Sequence, residues 1–429
     1  PPLPEEGATP HVTILMATRD RAALLKEAIA SLAAQTLSDW QAVIVDDGST
    51  DGSAAFLERL AARDHRDTLR GGAGRGPGEA LARALPEARG QLLLILDDDD
   101  RLAPRMLELA SAALERASGG SGDPPEAGAV VTDAVIIDER GAIRGVRSTP
   151  AVHPRSMGRA LLEGCYLLQP TVLLRRREVE AAGGFRRELR RLQDYDLWWR
   201  LAGRIDWIHL PLPLAQVRTH GGNRKDPRLR GEIAAAAQGI LRRVRKEVPL
   251  EELFPDLAEA SDERERLRVE TEARFELARA LLRLRLFGEA VEEMRAIIER
   301  TAETVPVTCL LARALLGAGE REEAERLFGS ILAGNPGDGN ALNGLGLCRA
   351  GAGDWDGAER HFRRALQAAP SHLVSRVNWL HARMGGEMPA EVADFHRGVI
   401  AREDPPGVEY LILEIEQGVR DGDEAGAGS

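Results

Sequence analysis

The sequence predicts two structural regions: an α/β domain with a mostly parallel sheet, followed by an all-α domain of helical repeats. In the first half of the chain, short apolar runs rich in β-branched residues alternate with helical patterns, which is typical of a doubly wound sheet. In the second half, small and bulky residues recur at a regular interval, as Ala290, Ala324 and Ala358 illustrate. Such a recurrence indicates stacked helix pairs.

The predicted sheet begins with the apolar run HVTILMA. Short runs of this kind, bounded by polar residues, are typical of buried strands. In chain order, the predicted elements are the strand 11–17, a helix with Asp20 as N-cap, the strand 41–45, a helix at 54–62, the strand 91–96 and later strands at 129–137 and 166–174. Ligands bind at the carboxyl edge of parallel strands in such folds.

Two acidic clusters follow two of these strands. VDDGSTDGS covers 45–53, and DDDD covers 97–100. Carboxylates one residue apart can hold Mg²⁺ or Mn²⁺ and leave room for diphosphate oxygens and water. Four adjacent acids repel one another unless a cation lies among them. A solvated acidic turn that caps the helix near Pro104 is the other interpretation, and the cluster alone leaves both open.

A further acid, Asp194, stands ahead of an aromatic-rich segment in which we predict a helix from Leu197. A carboxylate at such a position is suited to remove a proton from an attacking hydroxyl or thiol. An aspartate ahead of a helix also serves as an N-cap. The residue type alone does not separate these two roles.

The interval in the second region matches the period of tetratricopeptide (TPR) repeats, in which small residues let the helices of a pair approach closely. The residues that recur in register are Ala290, Ala324 and Ala358 at one position, Met294, Phe328 and Phe362 at a second, and Pro336 and Pro370 at a third.

Composition excludes several classes of protein. The net charge of -11 argues against a nucleic-acid binder, which needs a concentrated basic face. No apolar run reaches the roughly 18 residues of a membrane span, so we expect no integral membrane segment and a cytoplasmic location. The cysteines Cys165, Cys309 and Cys348 are isolated, so we expect neither a zinc site nor a disulfide framework.

Taken in order, VDDGS, a glycine-rich segment, DDDD, a GGF turn and QDYDLW resemble the family-2 glycosyltransferases of GT-A fold over residues 11–225. The resemblance implies a hexosyl-type transfer with inversion from a nucleotide sugar, with UDP as the nucleotide and Mn²⁺ or Mg²⁺ as cofactor. The implied roles are Asp194 as catalytic base, Asp47 at the nucleotide base with Ala17, Thr18 and Arg19 lining the same pocket and Asp46 in support, Asp97 or Asp98 near the ribose, Asp99 and His220 as metal ligands, and Arg218 at the diphosphate.

The sequence departs from the family pattern at two places. Gln193 stands where glutamate is usual, ahead of the implied base. Leu81 and Ala82 occupy the positions of an Arg-Asn pair that the family often shows after the glycine loop. Arg75 and Arg83 are the candidates to replace that arginine.

The predicted organisation is a flexible tail at 1–10, a GT-A domain at 11–225, a helical linker at 226–270, TPR-like repeats at 271–402 and a C-terminal segment at 403–429 with a disordered end. TPR surfaces commonly take peptides, so the combination predicts a peptide or protein acceptor. The pairing of domains is similar to that of the sublancin-type peptide S-glycosyltransferases. Homodimerisation through the repeats is an equal alternative.

Three other functions stay open. The same chemistry can act on a saccharide or lipid-linked acceptor for a surface polysaccharide. A degenerate GT-A domain can instead support a non-catalytic TPR scaffold, although the presence of Asp99, Asp194 and His220 argues against it. A nucleotidylyltransferase is disfavoured, because ATRDRAA follows the first strand where that class has a glycine-rich basic signature.

Overall fold

The protein is described by a computed structural model that covers 9–64, 66–72, 74–117, 127–149, 154–219, 227–301, 304–370 and 373–383. The chain forms two compact units, Pro1–Pro255 and Asp256–Ser429. The predicted segment 403–429, most of the predicted tail 1–10 and His220 lie outside the described residues.

The first unit contains a sheet with strand order β3-β2-β1-β4-β8-β6-β9-β5, and β7 pairs with β6. Pairing is parallel among β3, β2, β1 and β4 and between β6 and β9, and the remaining pairs are antiparallel. The predicted α/β class is thus confirmed. The strands are β1 Val12–Thr18, β2 Trp40–Asp46, β3 Asp67–Gly71, β4 Leu92–Ile95, β5 Arg101–Leu102, β6 Ala129–Ile137, β7 Ile143–Arg147, β8 Val172–Arg175 and β9 Trp207–Arg218.

Helices cover this sheet on both faces. Consecutive residues of a strand point to opposite faces, and Ile14, Leu15 and Met16 are all fully buried. Single turns of 3-10 helix lie at Leu85–Glu87, Gln169–Thr171 and Pro255–Leu257. The helices are α1 Ala22–Ala33, α2 Ser53–Ala61, α3 Pro77–Ala84, α4 Met106–Arg116, α5 Pro154–Leu162, α6 Arg176–Ala181, α7 Gln193–Leu201, α8 Pro227–Glu247 and α9 Leu250–Leu253.

The predicted strand at 166–174 is wrong in its first part. A 3-10 turn, Gln169–Thr171, precedes the short strand β8. Pro170 explains the difference, because proline has no N–H to donate to a sheet ladder. The predicted helix from Leu197 begins earlier, at Gln193, so Asp194 lies in its first turn.

Asp20 does not cap α1 as predicted. Its φ is 51°, and the helix begins at Ala22 without a side-chain cap. The Asp20 carboxylate instead accepts hydrogen bonds from the backbone N–H and the hydroxyl of Thr50, which ties the loop after β1 to the loop after β2.

The second unit is a series of antiparallel helix pairs. Helices α11, α13 and α15 begin at Phe287, Arg321 and Trp355, which are equally spaced along the chain, as the sequence period predicts. A Cβ added to Gly346 would lie 2.3 Å from Cε1 of Phe362, so glycine is what lets this ring pack against the backbone. The helices are α10 Glu263–Arg283, α11 Phe287–Ile298, α12 Val305–Gly317, α13 Arg321–Gly334, α14 Gly339–Ala350, α15 Trp355–Ala368 and α16 Leu373–Arg383.

Candidate active site

A cavity of about 670 Å³ lies at the carboxyl edge of β1, β2 and β4. Its volume is in the range of small-molecule sites. The structure brings most of the predicted site residues to its wall, whereas Asp46 and Arg218 do not line it. The predicted residues that line it are Ala17, Thr18, Arg19, Asp47, Asp97, Asp98, Asp99 and Asp194.

The acidic loop after β4 is held against the end of β1, its parallel neighbour. The Thr18 hydroxyl donates to Oδ2 of Asp98 at 2.7 Å, and Nη1 of Arg21 donates to Oδ1 of the same carboxylate at 3.0 Å. Arg21 also forms an ion pair with Asp99. Arg21 was not among the predicted site residues. Its position, just after β1 at the edge where the acids lie, was the available signal.

These carboxylates have a strongly unfavourable electrostatic environment. Burial, as the largest cause, and the neighbouring charges of Asp99, Asp194 and Asp98 together raise the pKa of Asp97 to about 8, against the opposing effect of Arg21. Burial also raises the pKa of Asp98. A bound divalent cation would relieve this repulsion, and carboxylate oxygens are the ligands that Mg²⁺ and Mn²⁺ prefer. The donor set therefore fits such an ion.

Asp194 faces the same cavity from the first turn of α7. Burial raises the pKa of its carboxyl group, which brings a carboxylate base closer to neutral pH. The Cys165 thiol lies 3.8 Å from Oδ2 of Asp194 and donates to it. Cys165 was predicted only as an isolated cysteine, and its place beside Asp194 follows from the turn that precedes β8.

Two glutamine side chains connect the two acidic parts of the cavity. Nε2 of Gln193 donates to Oε1 of Gln169 at 3.2 Å, and Nε2 of Gln169 donates to Oδ1 of Asp97 at 2.8 Å. The amide at 193, where the family usually has glutamate, thus supplies a donor that a carboxylate lacks. Gln169 gave no signal in the sequence.

Asp47 organises the glycine loop that closes one side of the cavity. Its Oδ1 accepts from the N–H of Gly74 at 2.8 Å, and its Oδ2 accepts from the N–H of Gly76 at 2.7 Å. A Cβ on Gly72 would lie 2.5 Å from Asp47 Oδ1, so this approach requires glycine. Asp46 is buried and does not line the cavity, and its carboxylate accepts from the N–H of Ser49 and fixes the turn after β2.

Basic side chains complete the cavity wall. Arg190 and Arg191 line it beside Arg19 and Arg21, and Arg191 lies 3.9 Å from Glu232. None of these four arginines was predicted to contact the diphosphate, a role that the resemblance gave to Arg218. The lining positions include Leu81 but neither Arg75 nor Arg83, the proposed replacements for the missing family arginine.

Arg218 is buried beside the acidic loop and does not line the cavity. Its guanidinium donates to the backbone carbonyl of Asp99 at 2.9 Å and to the carboxylate of Glu27 at 2.7 Å. The prediction of a diphosphate contact is therefore not matched by its position, because these protein acceptors hold the group away from the cavity wall.

The described part of the chain has neither a preformed metal cage nor a membrane-crossing helix. No group of three or more His, Cys, Asp or Glu side chains there is arranged to hold a metal ion. The acidic loop thus provides carboxylates without a complete set of protein ligands, and His220 lies outside the described residues. No described helix combines the length and apolar character that a membrane crossing needs.

The fold and the site define an α/β domain with an acidic cavity, followed in the chain by a helical-repeat domain. Residues 13–123 match the family model described as glycosyl transferase family 2, and residues 309–372 match the one described as tetratricopeptide repeat. These matches agree with the predicted glycosyltransferase-like region on the N-terminal side and the predicted TPR repeats on the C-terminal side.

Individual proteins are similar to this chain over part of its length. EpsE of Bacillus subtilis (strain 168) is 28% identical over 195 residues, which are 44% of this chain and 66% of EpsE. The GalNAc(5)-diNAcBac-PP-undecaprenol beta-1,3-glucosyltransferase of Campylobacter jejuni is 29% identical over 113 residues, 26% of this chain and 36% of that protein. The crystal structure of S. aureus TarS in complex with UDP-GlcNAc aligns with a TM-score of 0.46 at 15% identity, over 83% of this chain and 91% of that chain.

Proposed function

We propose that this protein is an inverting, metal-dependent glycosyltransferase that moves a sugar from a UDP-sugar to a peptide or protein acceptor. The observation that carries the proposal is the shared cavity of the Asp97–Asp99 loop and Asp194. One group of carboxylates suits a cation at the donor diphosphate, and the separate carboxylate suits proton transfer from the acceptor.

In the proposed reaction, Asp194 accepts the proton of the acceptor nucleophile as that nucleophile bonds to the anomeric carbon. The bond between this carbon and the diphosphate oxygen breaks in the same step, and UDP leaves with the bonding electrons. Attack opposite the leaving group inverts the anomeric configuration. Burial of Asp194 raises its pKa, which makes its carboxylate a stronger base for this step.

Asp99, with His220, would hold Mn²⁺ or Mg²⁺, and the ion would neutralise the charge that develops on the departing diphosphate. Asp97 or Asp98 is proposed near the ribose. We propose Ala17, Thr18, Arg19 and Asp47 at the nucleotide base. The last of these also holds the glycine loop, so base binding must be compatible with the contacts of Asp47 to Gly74 and Gly76.

The repeats support a polypeptide acceptor, because TPR surfaces commonly bind extended peptides. A lipid-linked saccharide acceptor is the second candidate. It is favoured by the similarity to the Campylobacter jejuni glucosyltransferase, whose name specifies an undecaprenol-linked substrate. Incubation of the full chain with UDP-sugars and either acceptor class separates the two, because only the true acceptor gains the mass of the sugar.

The site assignment is tested by Asp194→Asn and Asp99→Asn. We expect each variant to lower transfer from a UDP-sugar in the presence of Mn²⁺ by about 10²–10⁴-fold, since each loses the charge that its role needs. Asp356→Asn, at an exposed position of α15, is the matched control and should retain full activity. Full activity of Asp194→Asn would overturn the assignment of the base, and full activity of Asp99→Asn would overturn that of the metal ligand.

A further inference from the structure

We infer that Arg218 is a positioning residue for the acidic loop and has no contact with the donor diphosphate. It would hold the backbone carbonyl of Asp99 and the carboxylate of Asp100 so that the Asp99 carboxylate points to the cation. The inference rests on the proposed function, and it assigns a partner, Glu27, that the motifs do not mark.

The first observation is the set of hydrogen bonds that the guanidinium donates. Its Nε bonds to the carbonyl of Asp99 at 2.9 Å, and its Nη1 bonds to the carbonyls of Asp138 and Glu139, each at 3.1 Å. Its Nη2 bonds to Oε2 of Glu27 at 2.7 Å. All three nitrogens are thus committed to protein acceptors in three separate segments of the chain.

The second observation concerns the backbone of the same residue. The Arg218 N–H donates to Oδ1 of Asp100 at 2.8 Å. The main chain and the side chain of Arg218 therefore form hydrogen bonds with two successive residues of the acidic loop, Asp100 and Asp99. The side chain is only 1% exposed. A phosphate could reach it only after these bonds break, and buried carbonyls left without donors would be costly.

Glu27 makes the inference testable, because it lies on α1 and does not line the cavity. It is 45% exposed and also pairs with Arg101 at 2.7 Å, so its loss leaves no buried charge at its own position. If Arg218 acts by holding the loop, Glu27 supports that action through the guanidinium. If Arg218 instead binds the diphosphate directly, Glu27 has no comparable role.

Lysine at position 218 separates geometry from charge. Its ammonium keeps the positive charge but is a point donor, whereas the planar guanidinium reaches Asp99, Asp138 and Glu27 at the same time. If Arg218 acts through its charge alone, Arg218→Lys should match the unchanged protein in exchange of the acidic loop and in Mn²⁺ affinity. If Arg218 positions the loop, the variant should differ from the unchanged protein in both.

The experiment compares full-length Arg218→Lys, Glu27→Gln and the control Arg105→Gln, whose exposed guanidinium pairs with Glu108 outside the acidic loop. Hydrogen–deuterium exchange at residues 97–101 measures how well the backbone of the loop is protected from solvent. Calorimetric titrations with Mn²⁺ alone and with UDP in EDTA measure the affinity for each ligand separately. Exchange does not depend on activity, so the loop can be tested even if the proposed function fails.

We expect faster exchange at 97–101 in Arg218→Lys and Glu27→Gln. Mn²⁺ affinity should fall by about tenfold in Arg218→Lys, as is usual when a group behind a metal ligand is lost, and by less in Glu27→Gln, which acts through Arg218. UDP affinity in EDTA should not change, and Arg105→Gln should match the unchanged protein. Weaker UDP binding with unchanged exchange in Arg218→Lys would overturn the inference. Should Arg218→Lys fail to fold, unchanged exchange in Glu27→Gln would overturn it equally.

Discussion

The seam between TPR helices and the cavity edge of the sheet both bury their side chains, but with opposite chemistry. In the seam, Phe362 packs against Gly346 and is buried in an apolar cluster with Ala358 and Ala382. At the sheet edge, Asp98 and Asp100 are only 5% and 4% exposed although both carry ionisable groups. Burial therefore stabilises the seam, whereas at the edge it raises the pKa of both carboxyl groups.

This difference indicates which interactions serve the fold and which serve a ligand. Apolar burial lowers the free energy of the folded chain directly. Buried carboxylates do so only when donors or cations compensate them, and Arg21 compensates Asp98 and Asp99 in part. Replacing a buried carboxylate by a neutral side chain should therefore stabilise the folded chain at the edge. Removing a buried apolar side chain should destabilise it at the seam.

The largest effect on stability is expected in the seam. Phe362→Ala removes a ring that is 1% exposed, and we expect the free energy of unfolding to fall by about 3–5 kcal/mol, measured by urea denaturation followed by circular dichroism. The adjacent exposed residue provides the control, because Arg363→Ala should change stability by less than about 0.5 kcal/mol.

Gly346→Ala sharpens this prediction. In the unchanged protein, the added methyl group would meet the Phe362 ring, so the substitution should destabilise. In the Phe362→Ala background the obstacle is gone, and the cost of the methyl group should largely disappear. An equal cost in both backgrounds would show that this contact does not determine packing in the repeat.

The repeats were predictable from the sequence because their contacts are local and recur. Gly346 and Phe362 lie on the consecutive helices α14 and α15, and the ring of Phe328 on α13 packs against Gly344 in a similar way. The strands β1, β2, β4 and β6 followed from apolar runs, whereas β5, β7 and β9 were not predicted. The predicted strand at 166–174 was wrong before β8, where Pro170 ends the pattern. The short strand β3 was missed, because it begins in a polar segment and ends in the glycine-rich one.

The site was predictable only in part. The acids at strand ends were recognisable, since parallel strands bring their carboxyl ends to one edge. Their partners were not, because Thr18 and Asp98 are 80 residues apart and Glu27 and Arg218 are 191 apart. No periodicity relates such pairs, and a buried arginine that holds backbone looks the same in a sequence as one that binds a phosphate.

A smaller effect of opposite sign is expected at the sheet edge. The pKa of Asp97 is about 8 in the folded protein against 3.8 ordinarily, so the folded chain holds an extra proton between these values. Stability from this group is therefore lost as pH rises from about 4 to about 8. Asp97→Asn removes the loss and keeps an acceptor for Gln169. In EDTA at pH 9 we expect it to be more stable by about 2 kcal/mol.

Chemical denaturation at pH 5 and pH 9 checks this prediction. The advantage of Asp97→Asn over the unchanged protein should be larger at pH 9, whereas Asp356→Asn, on the exposed face of α15, should show no such pH dependence. A variant less stable than the unchanged protein at pH 9 would mean that the acidic edge is already compensated within the folded chain.

The smallest effect is expected at the solvent-exposed rim of the cavity. Arg190 lines the cavity and packs against Gly76, with 3.3 Å between its Cγ and the position of an added Cβ. We propose that it contacts the donor diphosphate from there. Because it is exposed, solvent screens its charge, and Arg190→Gln should raise KM for the UDP-sugar about tenfold, equivalent to about 1.4 kcal/mol, with kcat nearly unchanged.

Arg187→Gln is the matched control, since Arg187 pairs with Glu79 and does not line the cavity. Equal KM values for the two variants would remove Arg190 from the donor site, and the cations nearer the acidic loop, Arg21 first, would then be the ones that neutralise the leaving diphosphate.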